Sequence, residues 1–193
     1  LSISICILGE VLKKNTLLRS NAKKEDDIWI TGELGLAALG LAKLQKKIQL
    51  PKSLSKKAIR ALEKPMLHSS IIKIMAKLSN SAIDISDGLI ADLDHILEAS
   101  KVGADISLKD IPMNPWLKKN KLIDIGLSGG DDYQLLFTAP KKNRNKINLL
   151  NNMPSIKLTR IGSIKEDKRL NIIDHKDMSY KIKKRGYDHF ESK

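Results

Sequence analysis

The chain has 193 residues, 41% of them hydrophobic, and carries 35 Lys and Arg against 22 Asp and Glu for a formal net charge of +13 at pH 7. That length buries a sizeable core and the apolar patterning is that of a folded chain; the single cysteine, Cys6, excludes a disulfide framework and fits a reducing compartment. No apolar run reaches the ~20 residues that span a bilayer, and the apolar start lacks the basic segment and cleavage site of a signal peptide, so a cytoplasmic protein without a membrane partner is expected.

In chain order, Ile3, Ile5 and Ile7 alternate with Ser2, Ser4 and Cys6 and predict a strand ending near Gly9. A polar connector from Leu17 to Asp27 leads to a strand at 28–31. Gly32-Glu33-Leu34-Gly35 then opens a helix over about 35–47. Without the Gly-Lys-Ser/Thr ending of a Walker A loop, these glycines read as turn and packing positions. Residues 50–65 form a basic, helix-prone connector, followed by a helix over 69–78 with Ile71, Ile74, Met75 and Leu78 inward. Strands are predicted at 82–85, 104–108, 134–138 and 158–164, with a helix over 88–99. Trp116 reads as a packing anchor. The lysine-rich runs at 141–146 and 183–185 read as solvated loops.

The densest chemistry lies in Ile83-Asp84-Ile85-Ser86-Asp87-Gly88-Leu89 and the helix that follows. Ile83 and Ile85 share one strand face and Asp84 points the other way. Ser86 or Asp87 is expected at the helix N-cap, accepting from free backbone N–H groups. Carboxylates beside exposed N–H groups suit a magnesium–phosphate complex. Taken alone, the same residues also read as a cap and a strand end. Four aspartates between Asp84 and Asp94 in so basic a chain favour the first reading. A second dense stretch, Gly129-Gly130-Asp131-Asp132-Tyr133, presents paired carboxylates at the start of a strand. The four histidines show no zinc-binding spacing.

Ser-Ala-Ile-Asp-Ile-Ser-Asp-Gly-Leu, Ser100-x-Val-Gly-Ala104, Gly-Gly-Asp-Asp-Tyr and the closing Gly186-Tyr187-Asp188-His189-Phe190 together resemble the signatures of the thiamine-monophosphate kinases. That family is related to aminoimidazole ribonucleotide synthetase, selenophosphate synthetase and a hydrogenase maturation protein. The resemblance implies an α/β (α+β) fold, a mixed sheet packed with helices like the synthetase C-terminal domains. It implies transfer of phosphate from ATP to thiamine monophosphate, with several Mg²⁺ ions. Asp84 and Asp87 would hold metal, Arg19 and Ser86 would contact ATP, and Asp131 and Tyr187 would hold the thiamine end. Asp131 stands where the family has Glu, and Gln134 where it has a second Glu. The resemblance further implies that residues 1–14 are the last strand of a mostly missing N-terminal ATP-binding domain, that residues 15–193 are the C-terminal domain, and that a homodimer forms through the absent part. A sister synthetase acting on another acceptor is the alternative within this chemistry. A basic nucleic-acid-binding module is the alternative outside it, but aromatics are only 4% and no RRM, KH or zinc-finger pattern is present; no nucleic-acid partner is expected.

Overall fold

The computed structural model describes residues 2–66, 68–154, 157–183 and 186. Its strands and helices follow as β1 (Asp27–Thr31), α1 (Leu36–Leu44), α2 (Lys52–Glu63), α3 (Ser69–Leu78), β2 (Ser81–Ile85), α4 (Leu89–Ser100), β3 (Gly103–Ser107), α5 (Pro115–Lys119), α6 (Ile123–Ser128), β4 (Gln134–Ala139), α7 (Arg144–Leu149), β5 (Leu158–Lys165) and β6 (Leu170–Ile173). The strands form one six-stranded sheet in the order β2-β4-β1-β5-β3-β6. Every neighbouring pair is antiparallel except β3 and β6, which run parallel, so the sheet is mixed as expected.

β1 is buried along its whole length because it lies inside the sheet with apolar residues on both faces. Ile28 and Ile30 enter the main core with Ile83, Ile85, Leu89, Leu93, Ile96 and Leu97. The apolar positions of α4 recur three to four residues apart, so one stripe of that helix covers this face of the sheet. Trp29 turns to the opposite face, stacks on its cross-strand partner Phe137 at 6.4 Å between ring centroids, and packs with Ile71 and Met75 of α3 and Ile147 of α7. A smaller cluster ties α1, α2 and α5 together through Leu39, Ala58 and Leu117, with Trp116 against it as an anchor.

Two expectations are corrected here. Residues 2–12 form no strand, and Ile3, Ile5 and Ile7 are 76–87% exposed. Alternation is not enough for a strand whose backbone groups find no partner edge among the described residues. The run Lys141–Lys146 is not simply a solvated loop: it contains a 3₁₀ turn and the start of α7. Arg144 there makes a forked pair with the fully buried Asp27 at 2.6 and 2.7 Å, and Arg160 adds a third bond at 2.6 Å. Burial pushes the Asp27 carboxyl up, but the two guanidiniums outweigh it and hold it below the usual carboxylate range. Helices α2, α5, α6 and α7 and strand β6 were not among the predicted elements, although 50–65 reads as helix-prone.

Candidate active site

The site begins where β2 runs out. Ile83 and Ile85 plug into the α4 core, which leaves Asp84 on the other face of the strand and exposed. The chain then turns through Ser86, Asp87 and Gly88 into α4. Gly88, and not Ser86 or Asp87, is the N-cap, at φ 117° and without a side-chain capping bond. The N–H groups of Ser86, Asp87 and Gly88 do not face solvent ligands either. All three donate to one carboxylate oxygen, Oδ2 of Asp92, at 3.0, 3.0 and 3.1 Å. The expected anion-binding helix end is therefore already filled by the protein's own carboxylate. Burial pushes Asp92 above its ordinary pKa and the nearby charge of Asp87 adds to this, while the three N–H bonds oppose it.

The second dense stretch is laid directly on the first. The N–H of Asp131 donates to the Ser86 carbonyl and that of Tyr133 to the Ile85 carbonyl, both at 2.9 Å. No side chain fits between the two turns: a Cβ on Gly130 would stand 2.2 Å from the Ser86 oxygen, and one on Gly88 2.7 Å from the backbone of Ser128. Asp131 and Tyr133 both take left-handed backbone, at φ 66° and 47°. Such conformations persist in non-glycine residues only where the surroundings impose them, and they cluster at functional sites. Tyr133 is 41% exposed there. Gly186 reaches the same place, since a Cβ on it would lie 2.5 Å from Ala91 Cβ and 3.0 Å from the Asp87 carbonyl. Tyr187, the next residue, lies outside the described residues.

Asp132 faces inward from the second turn and works differently from its neighbour. Its carboxylate accepts from the N–H groups of Gly35 at 2.6 Å and Ala37 at 3.1 Å, capping α1 from a distant part of the chain. Burial is the main reason its pKa is pushed up to about 6, helped by the charges of Asp131 and Glu33 and opposed by the two N–H bonds. A carboxyl whose folded pKa exceeds the unfolded value of about 3.9 gives stability that is complete below that value and is lost as pH rises through the folded one. The stability difference between wild type and Asp132→Asn is therefore expected to shift across about pH 4–6 by up to about 3 kcal/mol, with wild type losing ground as pH rises. Denaturant titrations at stepped pH measure it, and a flat difference would show that Asp132 titrates normally.

Beside this cap, Gln134 Oε1 lies 2.8 Å from both Thr31 Oγ1 and His68 Nε2, so its amide is part of a polar cluster. Burial holds His68 below its ordinary pKa, against the opposing bond to Gln134.

Asp84 points to the face of β2 away from the α4 core, and of the other residues singled out in the sequence, Ser86, Asp87 and Asp131 are brought together by the backbone bonds between the two turns. Arg19 is not. Its carbonyl accepts from Ser100 Oγ at 2.8 Å, at the C-terminal end of α4. The 12 residues of α4 put Asp87 about 18 Å away at the other end. Sequence reasoning missed Asp92 and His95, whose ligand atoms lie with one of Asp87 inside 4.8 Å of one another. Their signal was the helical spacing, since Asp92 and His95 are three apart and fall on one side of α4. The donor set at this end is mostly carboxylate oxygen with no thiolate, which fits a hard cation such as Mg²⁺ better than zinc.

These features define a C-terminal domain of the AIR synthase type, and the comparisons agree: residues 23–175 match the family model "AIR synthase related protein, C-terminal domain", and the chain belongs to that family. Among individual proteins, it is 44% identical to the thiamine-monophosphate kinase of Buchnera aphidicola subsp. Schizaphis graminum, over 98% of this chain and 60% of that one. It is 36% identical to the thiamine-monophosphate kinase of Escherichia coli K12, again over 98% of this chain and 60% of the relative. Among solved structures, AaThiL complexed with AMPPCP and TMP superposes with a TM-score of 0.74 at 28% identity, covering 90% of this chain and 54% of that one. The chain thus spans about 60% of the length of the curated relatives it matches. No helix among the described residues is long and apolar enough to cross a membrane.

Proposed function

We propose that this chain is the C-terminal part of a kinase that transfers the γ-phosphate of ATP to thiamine monophosphate, giving ADP and thiamine diphosphate. The observation that carries the reading is the fusion of two acid-bearing turns, Ser86–Gly88 and Gly129–Tyr133, through backbone hydrogen bonds at the start of α4. Similarity to thiamine-monophosphate kinases over 98% of the chain supports it.

The chemistry fits such a site. A phosphate monoester has a second pKa near ~6, so the acceptor is largely dianionic at neutral pH and needs no general base. The difficulty is bringing two polyanions into line, which calls for positioning and charge neutralisation. Bound Mg²⁺ would supply the neutralisation, held here by Asp84 and Asp87. Ser86 would meet ATP at the same turn. Arg19 would meet it from the other end of α4, where its planar guanidinium suits a phosphate or a base. Asp131 would hold the thiamine end from the second turn. Asp is one methylene shorter than the family's Glu, and the left-handed backbone at Asp131 sets where its carboxylate emerges.

In this reading residues 1–14 end an N-terminal ATP-binding domain and residues 15–193 form the C-terminal domain. The exposed, alternating isoleucines near the start would pair inside that other domain. The complete enzyme would be a cytoplasmic homodimer joined through it. The test is ADP release by the complete protein with thiamine monophosphate, thiamine, or the ribonucleotide acceptors of the sister synthetases. Turnover that depends on thiamine monophosphate supports the reading; turnover with another acceptor alone rejects it.

Tyr187 follows directly on Gly186, which packs against Asp87 and Ala91, so its ring is proposed to cover the cationic thiazolium. An aromatic face on a cation contributes about 0.5–2 kcal/mol. Tyr187→Leu is therefore expected to raise the thiamine monophosphate KM by roughly 2- to 30-fold, with kcat and the ATP KM nearly unchanged and Tyr187→Phe close to wild type. Equal effects on both substrates with a lowered Tm would instead make Tyr187 a packing residue of the tail.

A further inference from the structure

We propose that Asp92 is the positioning residue of the metal-binding turn, fixing Ser86 and Asp87 through their backbone; this rests on the function proposed above. One of its carboxylate oxygens accepts from three consecutive N–H groups, and the residue is 1% exposed. Only the Gly88 N–H belongs to the helix start; those of Ser86 and Asp87 precede it. In ordinary capping, a side chain before the helix accepts from N–H groups inside its first turn. Here the bond to the N-cap resembles the return bond of a capping box and is extended beyond it: Asp92 is the fourth residue of α4, and its donors are the N-cap residue and the two before it. Two of the three bonds therefore hold the turn rather than the helix.

The other polar side of the turn is fixed as well, because Asp131 N–H donates to the Ser86 carbonyl. Ser86 is thus held through its N–H by Asp92 and through its carbonyl by the second turn. A concave row of successive N–H groups is an anion site in its own right. Asp92 fills it from within, and a carboxylate oxygen of the neighbouring Asp87 lies with ligand atoms of Asp92 and His95 inside 4.8 Å of one another. Without Asp92 the row would open to water or to phosphate, and the Asp87 carboxylate would lose its set position.

The complete protein tests this through Asp92→Ala and Asp92→Asn, with the half-saturating Mg²⁺ for ADP release, Mn²⁺ binding followed by electron paramagnetic resonance without turnover, and amide exchange. Asp92→Ala is expected to raise the half-saturating Mg²⁺ and weaken Mn²⁺ at least about 10-fold. It should leave the thiamine monophosphate KM within about 2-fold. The amides of Ser86, Asp87 and Gly88 should exchange at least about 100-fold faster while Leu93 to Leu97 stay protected. Asp92→Asn keeps the size and one acceptor oxygen and should fall between the two. Weaker Mn²⁺ with unchanged exchange at the turn would make Asp92 a ligand and overturn the positioning role. Unchanged Mn²⁺ affinity, or loss of protection along all of α4, would overturn it too. If the wild-type protein phosphorylates another acceptor, the functional reading falls while the Mn²⁺ and exchange results still decide the part played by Asp92.

Discussion

Asp87→Asn in the complete enzyme is expected to lower kcat at least about 10²-fold, about 2.7 kcal/mol of lost transition-state stabilisation, and to demand more Mg²⁺. The substitution keeps the size of the side chain and removes one charge, so the turn itself should survive. Its N–H still reaches Asp92, and its carbonyl still lies beside Gly186. Asp84→Asn should act in the same direction with even less effect on the fold. That residue is exposed on β2, and its backbone is held by pairing with Leu135 of β4. Mg²⁺ titrations of the rate, run beside thermal melts of both variants, separate the possibilities. A variant with an unaltered titration and rate marks its residue as a mere strand end or turn residue. A variant that only melts lower marks it as structural.

The larger effect is expected from the chain by itself. In-line transfer between two polyanions depends on holding both, and well-oriented groups are worth effective molarities of 10⁵ M or more, or roughly 7 kcal/mol. Asp87 and the turn that carries Asp131 lie at one end of α4 and the Arg19 backbone at the other, about 18 Å along the helix. The purified chain should therefore fold and yet release ADP at least about 10⁴-fold more slowly than the complete enzyme under the same conditions. The sheet predicts the folding half of that result, since β1 is buried on both faces and the α4 stripe covers one of them. Substantial thiamine-dependent turnover by the chain alone would mean that these two turns suffice and that the rest of the enzyme adds only affinity.

What could be read from the sequence was whatever local periodicity controls. The alternation of Ile83 and Ile85 and the helical recurrence of Leu89, Leu93 and Ile96 place β2, the turn and α4 within a residue or two, and with them Asp84 and Asp87. The strand starts near 28, 104, 134 and 158 emerge for the same reason. The roles that went unread depend on partners far along the chain. Arg144 lies in a lysine-rich run that looks solvated, and only the fold sets it against Asp27, 117 residues away. β6 is short and gains its pairing from β3, which no local pattern announces. The Ile3–Ile7 alternation is as regular as that of β2, yet without a partner edge among the described residues it makes no strand. The cap at Ser86 or Asp87 failed for a subtler reason: Gly88 takes a backbone conformation that turns the N–H row onto Asp92, a residue inside the helix. Asp132 likewise reads as one of a matched pair of acids, whereas the structure commits it to the start of α1.

The central claim is that the acids gathered at the start of α4 serve phosphoryl transfer to thiamine monophosphate, and ³¹P NMR of the complete protein with ATP, Mg²⁺ and thiamine monophosphate tests it most directly. The account predicts that the monophosphate singlet gives way to the paired doublets of a diphosphate as ADP appears in equal amount, and that Asp87→Asn slows this at least about 10²-fold. A persistent monophosphate singlet beside ADP and free inorganic phosphate would contradict it, because the site would then be hydrolysing ATP or serving a different acceptor.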